Sequence, residues 1–236
     1  MIKKALFFFI IAAAMAVLFV PMAAAHTPEQ EQAADALHEL GLFLGTGDQP
    51  DGTPSYDLDA ELTRAQSVTL LIRMLGKEDE VKSGDYPHPF QDTADWYSNY
   101  VGYAYANGLT NGTGATTFRG SGPATAQMFA TFCLRALGYE DMNGATDFLW
   151  FEASVKADAL GIRVNTDAAV YTRGDAVITF WDTLKTKRKG SDKTLAENLI
   201  SQGVFSYDTF ARIWRGLYGT EPPFPGPGEL PPDPLN

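Results

Sequence analysis

Apolar residues recur at helical spacing in blocks that stop at glycine. Trp96, Tyr100, Tyr103 and Ala104 fall on one helical face behind Phe90-Gln91-Asp92, and Asn107-Gly108-Leu109 ends the block. Glycine supplies a left-handed residue past a helix end, and the apolar residue after it folds back on the last turn. The same stop appears as Leu40-Gly41-Leu42 and Leu160-Gly161-Ile162. A polar loop and a second helix follow each stop. Leu62-Thr63-Arg64-Ala65-Gln66 opens one, with Val68, Leu71, Ile72 and Leu75 on its face. Tyr171-Thr172-Arg173-Gly174-Asp175 opens another, ahead of Val177, Phe180, Trp181 and Leu184. The middle block reads Pro123-Ala124-Thr125-Ala126-Gln127 and then Phe129, Phe132, Leu134 and Leu137, with Ala124-Thr125 standing where Thr-Arg would be.

The pattern predicts an all-α domain of helix–loop–helix repeats at about 33–76, 90–138 and 147–187, plus a helical segment at 193–217. Leu195–Gln202, stopped by Gly203-Val204, has the form of a further first helix, and Tyr207–Leu217 is expected to cover an end of the stack. From Gly219 on, 7 of 18 residues are proline, so 219–236 reads as a polyproline-like or disordered tail. At the other end, Lys3 and Lys4 precede the apolar run Ala5 to Val20 and the small residues Ala23-Ala24-Ala25. This reads as a secretory signal peptide over 1–25, since 16 apolar residues fall short of the roughly 20 that span a bilayer. No membrane span is expected after cleavage, and the domain should occupy 26–218.

These residues resemble the S-layer homology family. Phe90, Asp92, Trp96, Gly108-Leu109, Gly112 and Phe118 match its repeat in the middle unit, Thr63-Arg64-Ala65-Gln66 in the first and Thr172-Arg173-Gly174-Asp175 in the third. The first unit lacks the Phe-x-Asp lead-in, and the third has a jumbled Asp147-Phe148-Leu149-Trp150. The resemblance implies a pseudo-three-fold compact bundle and a non-enzymatic role. Such a protein is secreted to the cell wall or S-layer and anchored without covalent bonds to an acidic, pyruvylated wall polysaccharide held between repeats. It also implies that the arginine of each Thr-Arg pair meets a ligand carboxylate, so two working pockets are expected rather than three. The alternative is a protein-interaction module that keeps the scaffold without glycan binding, with other surface proteins as partners.

The residues themselves carry two readings of Thr-Arg. Thr63 with Gln66, and more loosely Thr172 with Asp175, form capping boxes that need no ligand. The arginines are not explained that way, because a cation in the first turn opposes the helix dipole at roughly 0.3–1 kcal/mol. Free helix N–H groups beside a guanidinium suit an anion, whereas ion pairing to Asp57 or Asp59 is the internal alternative. Anion binding by Arg64 and Arg173 is preferred. Trp96 is a candidate for stacking on a sugar ring as much as for the core; Tyr100 is assigned to the core.

Charge and composition narrow the partners. The net charge is −11, and −13 without the lysine-bearing leader, which disfavours nucleic acid and anionic membranes. The basic run Lys185–Lys193 reads as a solvated connector, with contact to an anionic wall polymer as the other reading. Cys133 sits among apolar neighbours and reads as a buried inert thiol. No metal or cofactor is expected: His26, His38 and His88 are scattered, and Asp48, Asp51, Asp57 and Asp59 miss the calcium-loop pattern.

Overall fold

The expected stops and starts organise the chain. In the computed structural model, which describes residues 26–141, 147–226 and 228, the helices are α1 (Pro28–Glu39), α2 (Arg64–Met74), α3 (Glu78–Ser83), α4 (Asp95–Ala106), α5 (Ala126–Ala136), α6 (Ala153–Ala159), α7 (Arg173–Lys185), α8 (Leu195–Ser201) and α9 (Tyr207–Tyr218). A 3-10 turn, Trp150–Glu152, leads into α6. Among the described residues the only sheet is a hairpin of two-residue strands, β1 (Gly47–Asp48) and β2 (Pro54–Ser55). The fold is all-α. The leader at 1–25 lies outside the described residues.

Each glycine stop works by the same bonds. After α4, Gly108 takes φ +66°, its N–H donates to the Tyr105 carbonyl, and Leu109 N–H donates to Ala104. Gly41, Gly161 and Gly203 end α1, α6 and α8 in the same way. The starts are equally regular. Thr63 and Thr172 both form full capping boxes, so the Asp175 version is as complete as that of Gln66. Thr27 with Gln30 and Thr194 with Glu197 do the same for α1 and α8.

One register shifts. Thr125 is the N-cap of α5 and accepts from Met128 N–H, so Thr125-Ala126, rather than Ala124-Thr125, corresponds to Thr63-Arg64. The arginine position of this unit is Ala126. The Thr125 cap moves the alignment of this segment by one residue.

The main helix pairs join helices of different expected repeats. α4 packs on α2, α6 on α5, and α1 on α7, so each rests on the second helix of the unit before it, and α1 on the last. α5 touches both α2 and α7. The core that results is one cluster running from Ala33 to Phe224, with Phe118, Phe129, Phe180 and Phe210 wholly enclosed. The C-terminal ends of α2 and α5 meet the 188–204 segment: Lys189 N–H donates to Leu137, and a side chain at Gly76 would collide with Gln202 and Val204.

Two departures follow from packing that the pattern does not encode. α3 interrupts the link to α4 because Val81 is buried there and Asn99 Nδ2 donates to the Val81 and Gly84 carbonyls. The proline-rich stretch also does not begin as free chain, since Phe224 is buried and stacks on Phe210 at 5.4 Å. The basic run is largely paired: Lys185 with Asp182, Lys187 with Asp192 and Lys189 with Asp147.

Cys133 is wholly enclosed, and burial pushes its thiol up to about 12. At pH 8 the folded protein should therefore leave a thiol-specific disulfide reagent unreacted, and in urea it should consume one equivalent; rapid reaction without denaturant would contradict this packing.

Candidate functional site

A backbone scaffold in front of α2 and α7 sets the position of each Thr-Arg arginine. Before α2, Phe118 O accepts from Arg64 Nε at 3.1 Å, Gly120 O from Ala65 N–H and Gly122 O from Arg64 N–H. Before α7, Tyr56 O accepts from Arg173 Nε at 2.7 Å, Leu58 O from Gly174 N–H and Ala60 O from Arg173 N–H. The carbonyl spacing is the same in both. The residue after the first carbonyl is left-handed in each case, Arg119 at φ +58° and Asp57 at φ +50°. At Gly174 a Cβ would lie 3.1 Å from the Leu58 carbonyl oxygen and 2.9 Å from the Gln30 amide, so a side chain there would have to displace Gln30, whereas α2 carries Ala65 at the matching position.

These bonds overturn one expectation. The first-turn amides of α2 and α7 are not free to receive an anion, since the neighbouring backbone and the Thr hydroxyls use them. What each helix start turns toward its cleft is the guanidinium. Arg64 is half-buried, with its Cζ 5.0 Å over the Phe118 ring and further contacts to Met128 Sδ and Asn111 O. Arg173 is only 4% exposed, with its Cζ 4.9 Å over Phe43. Among the described residues neither arginine forms an ion pair: Asp59 pairs with His26, and Asp57 acts on Arg173 only as a nearby charge. Burial pulls both guanidinium pKa values down, helped at Arg64 by the charge of Arg119 and opposed at Arg173 by Asp57. Both stay charged, as arginine does at any ordinary pH.

Each arginine opens into a cleft beside an exposed tryptophan. One cleft, about 150 Å³, is lined by Arg173, Phe43, Gln66, Thr69, Arg73 and Trp96 among others. The other, about 400 Å³, is lined by Arg64, Thr110, Thr131, Phe132, Arg135 and Trp150 among others. Trp96 and Trp150 are 57% and 62% exposed, so Trp96 is not a core residue, whereas Tyr100 is. Of the residues singled out from sequence, Arg173, Gln66 and Trp96 come together and Arg64 stands in the second cleft. Thr63, Thr172 and Asp175 act in the caps, Asp175 also accepting from Asn165.

Several cleft residues were not evident from sequence. Trp150 sat in the stretch that looked scrambled. Thr69 and Thr131 lie six residues after Thr63 and Thr125, and Arg73 and Arg135 lie ten after, a register visible only once Thr125 is known to be the cap. Arg73 makes a two-pronged bond to Glu78 at 3.0 Å, and Arg135 makes one to Asp141 at 2.8 Å. Each second arginine is thus already neutralised. Asp92 accepts from Phe118 N–H and Arg119 N–H, which explains the Phe-x-Asp lead-in: the carboxylate fixes the turn on which Arg64 stacks.

The two clefts are thus built alike, each on an arginine that opens a helix after a Thr cap. Residues 91–125 match the family model of the S-layer homology domain, so the chain carries a segment of that family there. It is similar to the middle cell wall protein of Brevibacillus brevis, at 29% identity over 84% of this chain, and to a cell surface protein of Thermoanaerobacter kivui, at 30% over 83%. A surface layer protein of Brevibacillus choshinensis is 29% identical over 56% of the chain and 12% of its own length. The chain spans 19% and 26% of the length of the first two. Its place is the cell surface, where the family serves in anchoring. Among the described residues, no helix is long and apolar enough to cross a membrane.

The Arg73–Glu78 pair makes a pH test. Burial raises the Glu78 carboxyl, but Arg73, Tyr100 and Lys82 more than reverse this and leave it below its ordinary 4.5. A lowered carboxyl stabilises the fold above its unfolded pKa and ceases to do so as pH falls through the folded value. The urea midpoint should be level from pH 7 to about 5 and fall below about 4.5. Glu78→Gln should lower stability at pH 7 by about 1–3 kcal/mol and flatten the acid limb; an unchanged acid limb would remove Glu78 from this role.

Proposed function

We propose that the chain anchors its protein to the cell wall by binding an acidic, pyruvylated wall polysaccharide in the Arg64 and Arg173 clefts. The observation that carries this reading is the pair of guanidinium groups, buried or half-buried beside exposed tryptophans without an ion-pair partner among the described residues. An enclosed cation without a counter-ion is costly, and a carboxylate entering the cleft relieves that cost. Arginine offers a carboxylate two parallel donors, and the tryptophan offers the apolar face of a sugar ring a surface to lie on. Arg73 and Arg135, each clasped by a carboxylate, add little net charge, so each cleft presents about one positive charge and suits one carboxylate.

The pseudo-three-fold arrangement of three repeats belongs to the same reading. Its support is the matching carbonyl scaffold before α2 and α7 and the cyclic pairing of α4, α6 and α1 with α2, α5 and α7. No catalytic role is assigned. The signal peptide at 1–25, the unit boundaries at 33–76, 90–138 and 147–187, and the tail at 219–236 remain part of this proposal.

The two clefts are not equal. Arg119 adds positive charge beside Arg64, whereas Asp57 offsets Arg173. In co-sedimentation of residues 26–236 with purified sacculi, Arg64→Ala should weaken binding more than Arg173→Ala, by about tenfold or more for the former. The double variant should abolish binding, as should mild acid removal of ketal-linked pyruvate from the sacculi. Full retention by a folded double variant would overturn the glycan reading in favour of a protein partner.

A further inference from the structure

Counting from cap and stop places four positions in the Arg173 cleft and three in the Arg64 cleft, where the fourth count falls on Ser154 of α6 and Trp150 lies just ahead of that helix; the same count picks out four residues for a third such place against α7. The first residue after the N-cap is Arg64 or Arg173 in the clefts and Ala126 in the remaining unit. The second residue of the first helix is Trp96 in α4 and Glu29 in α1. The second residue past the stop glycine is Phe43 or Thr110 in the clefts and Arg163 in the third unit. The tenth residue after the cap is Arg73 or Arg135 in the clefts and Asp182 in α7. All four differ, and the three that can carry charge are bonded to one another.

Arg163 Nε donates to Asp182 Oδ2 at 2.7 Å, its Nη2 to Oδ1 at 3.1 Å, and its backbone N–H to the same carboxylate at 3.2 Å. Its Nη1 reaches Glu29 Oε1 at 2.7 Å. Lys185 Nζ lies 2.7 Å from Asp182 Oδ1. The Asp182 side chain is almost enclosed, and Thr179 Oγ1 donates to the Arg163 carbonyl to hold the loop on α7. Two cations and two carboxylates therefore balance, with the Asp175 carboxylate close by on Asn165.

We infer that this third groove is a latch and not a ligand site. The cluster Glu29–Arg163–Asp182–Lys185 fills the place a glycan carboxylate would take and fastens α1 to α7, so the domain offers two glycan sites. The count of two rests on the function proposed above; the latch does not. α1 is the first helix whose partner lies farthest along the chain, and closing so long a loop is entropically unfavourable until contacts at its ends are made. An ion cluster at that seam holds the closure where the other seams carry ligand clefts.

The deciding experiment is hydrogen exchange on residues 26–236 with Arg163→Gln and Asp182→Asn. Both variants should speed exchange in α1 by about tenfold while α5 keeps its protection; Arg64→Ala, which leaves the latch alone, should not change α1. If neither variant opens α1 relative to α5, the latch is overturned. If a variant unfolds globally, Glu29→Gln, which cuts only the exposed arm, takes its place with a smaller increase confined to α1. Calorimetric titration with a methyl hexoside bearing a 4,6-linked pyruvate ketal should saturate at two equivalents. Three equivalents would overturn the closed groove. Absence of heat with α1 still opening in the variants would fail the glycan reading and leave the latch standing.

Discussion

The clefts depend on the carbonyls of 56, 58 and 60 before α7 and of 118, 120 and 122 before α2. Each set receives the first two amides of a helix and the Nε of the arginine that begins it. A guanidinium in a helix's first turn opposes the helix dipole, and here it is held there by the bond from its Nε to a backbone carbonyl and by the aromatic ring beneath it. The same bonds cross from one unit to another, so a cleft exists only when two units are docked. The clefts and the fold are thus written into the same set of hydrogen bonds.

Much of the frame was legible in the chain. Glycine stops, Thr caps and apolar faces are local signals, and the structure places helices where they predict them. The less legible parts were those decided across units. Ala126 was misaligned by one residue because Ala126-Gln127 repeats Ala65-Gln66 letter for letter, while the hydroxyl of Thr125 on Met128 N–H fixes where the helix starts. Trp150 was hidden in a scrambled lead-in, and its exposure beside Arg64 is a property of packing. The first-turn amides looked free because the partner carbonyls lie over fifty residues away for α2 and over a hundred for α7.

The two clefts and the α1–α7 seam differ in what fills them. The carbonyl scaffold recurs before α2 and α7, whereas the seam carries its own charged side chains. Asp182 stands where Arg73 and Arg135 stand, and Glu29 where Trp96 stands, and the hydrogen-bond count still closes. A groove can change from outward-facing to self-filled without any change of helix.

The contact of α1 with α9 has a mechanical consequence. The first and last helices are neighbours, and Phe224 is pinned on Phe210 just beyond α9. A pull on the C-terminal side meets α9 first and is shared sideways with α1 through their contact. The seam between α1 and α7 then stands between that pull and the rest of the molecule, and it is the part that has to be strong in shear.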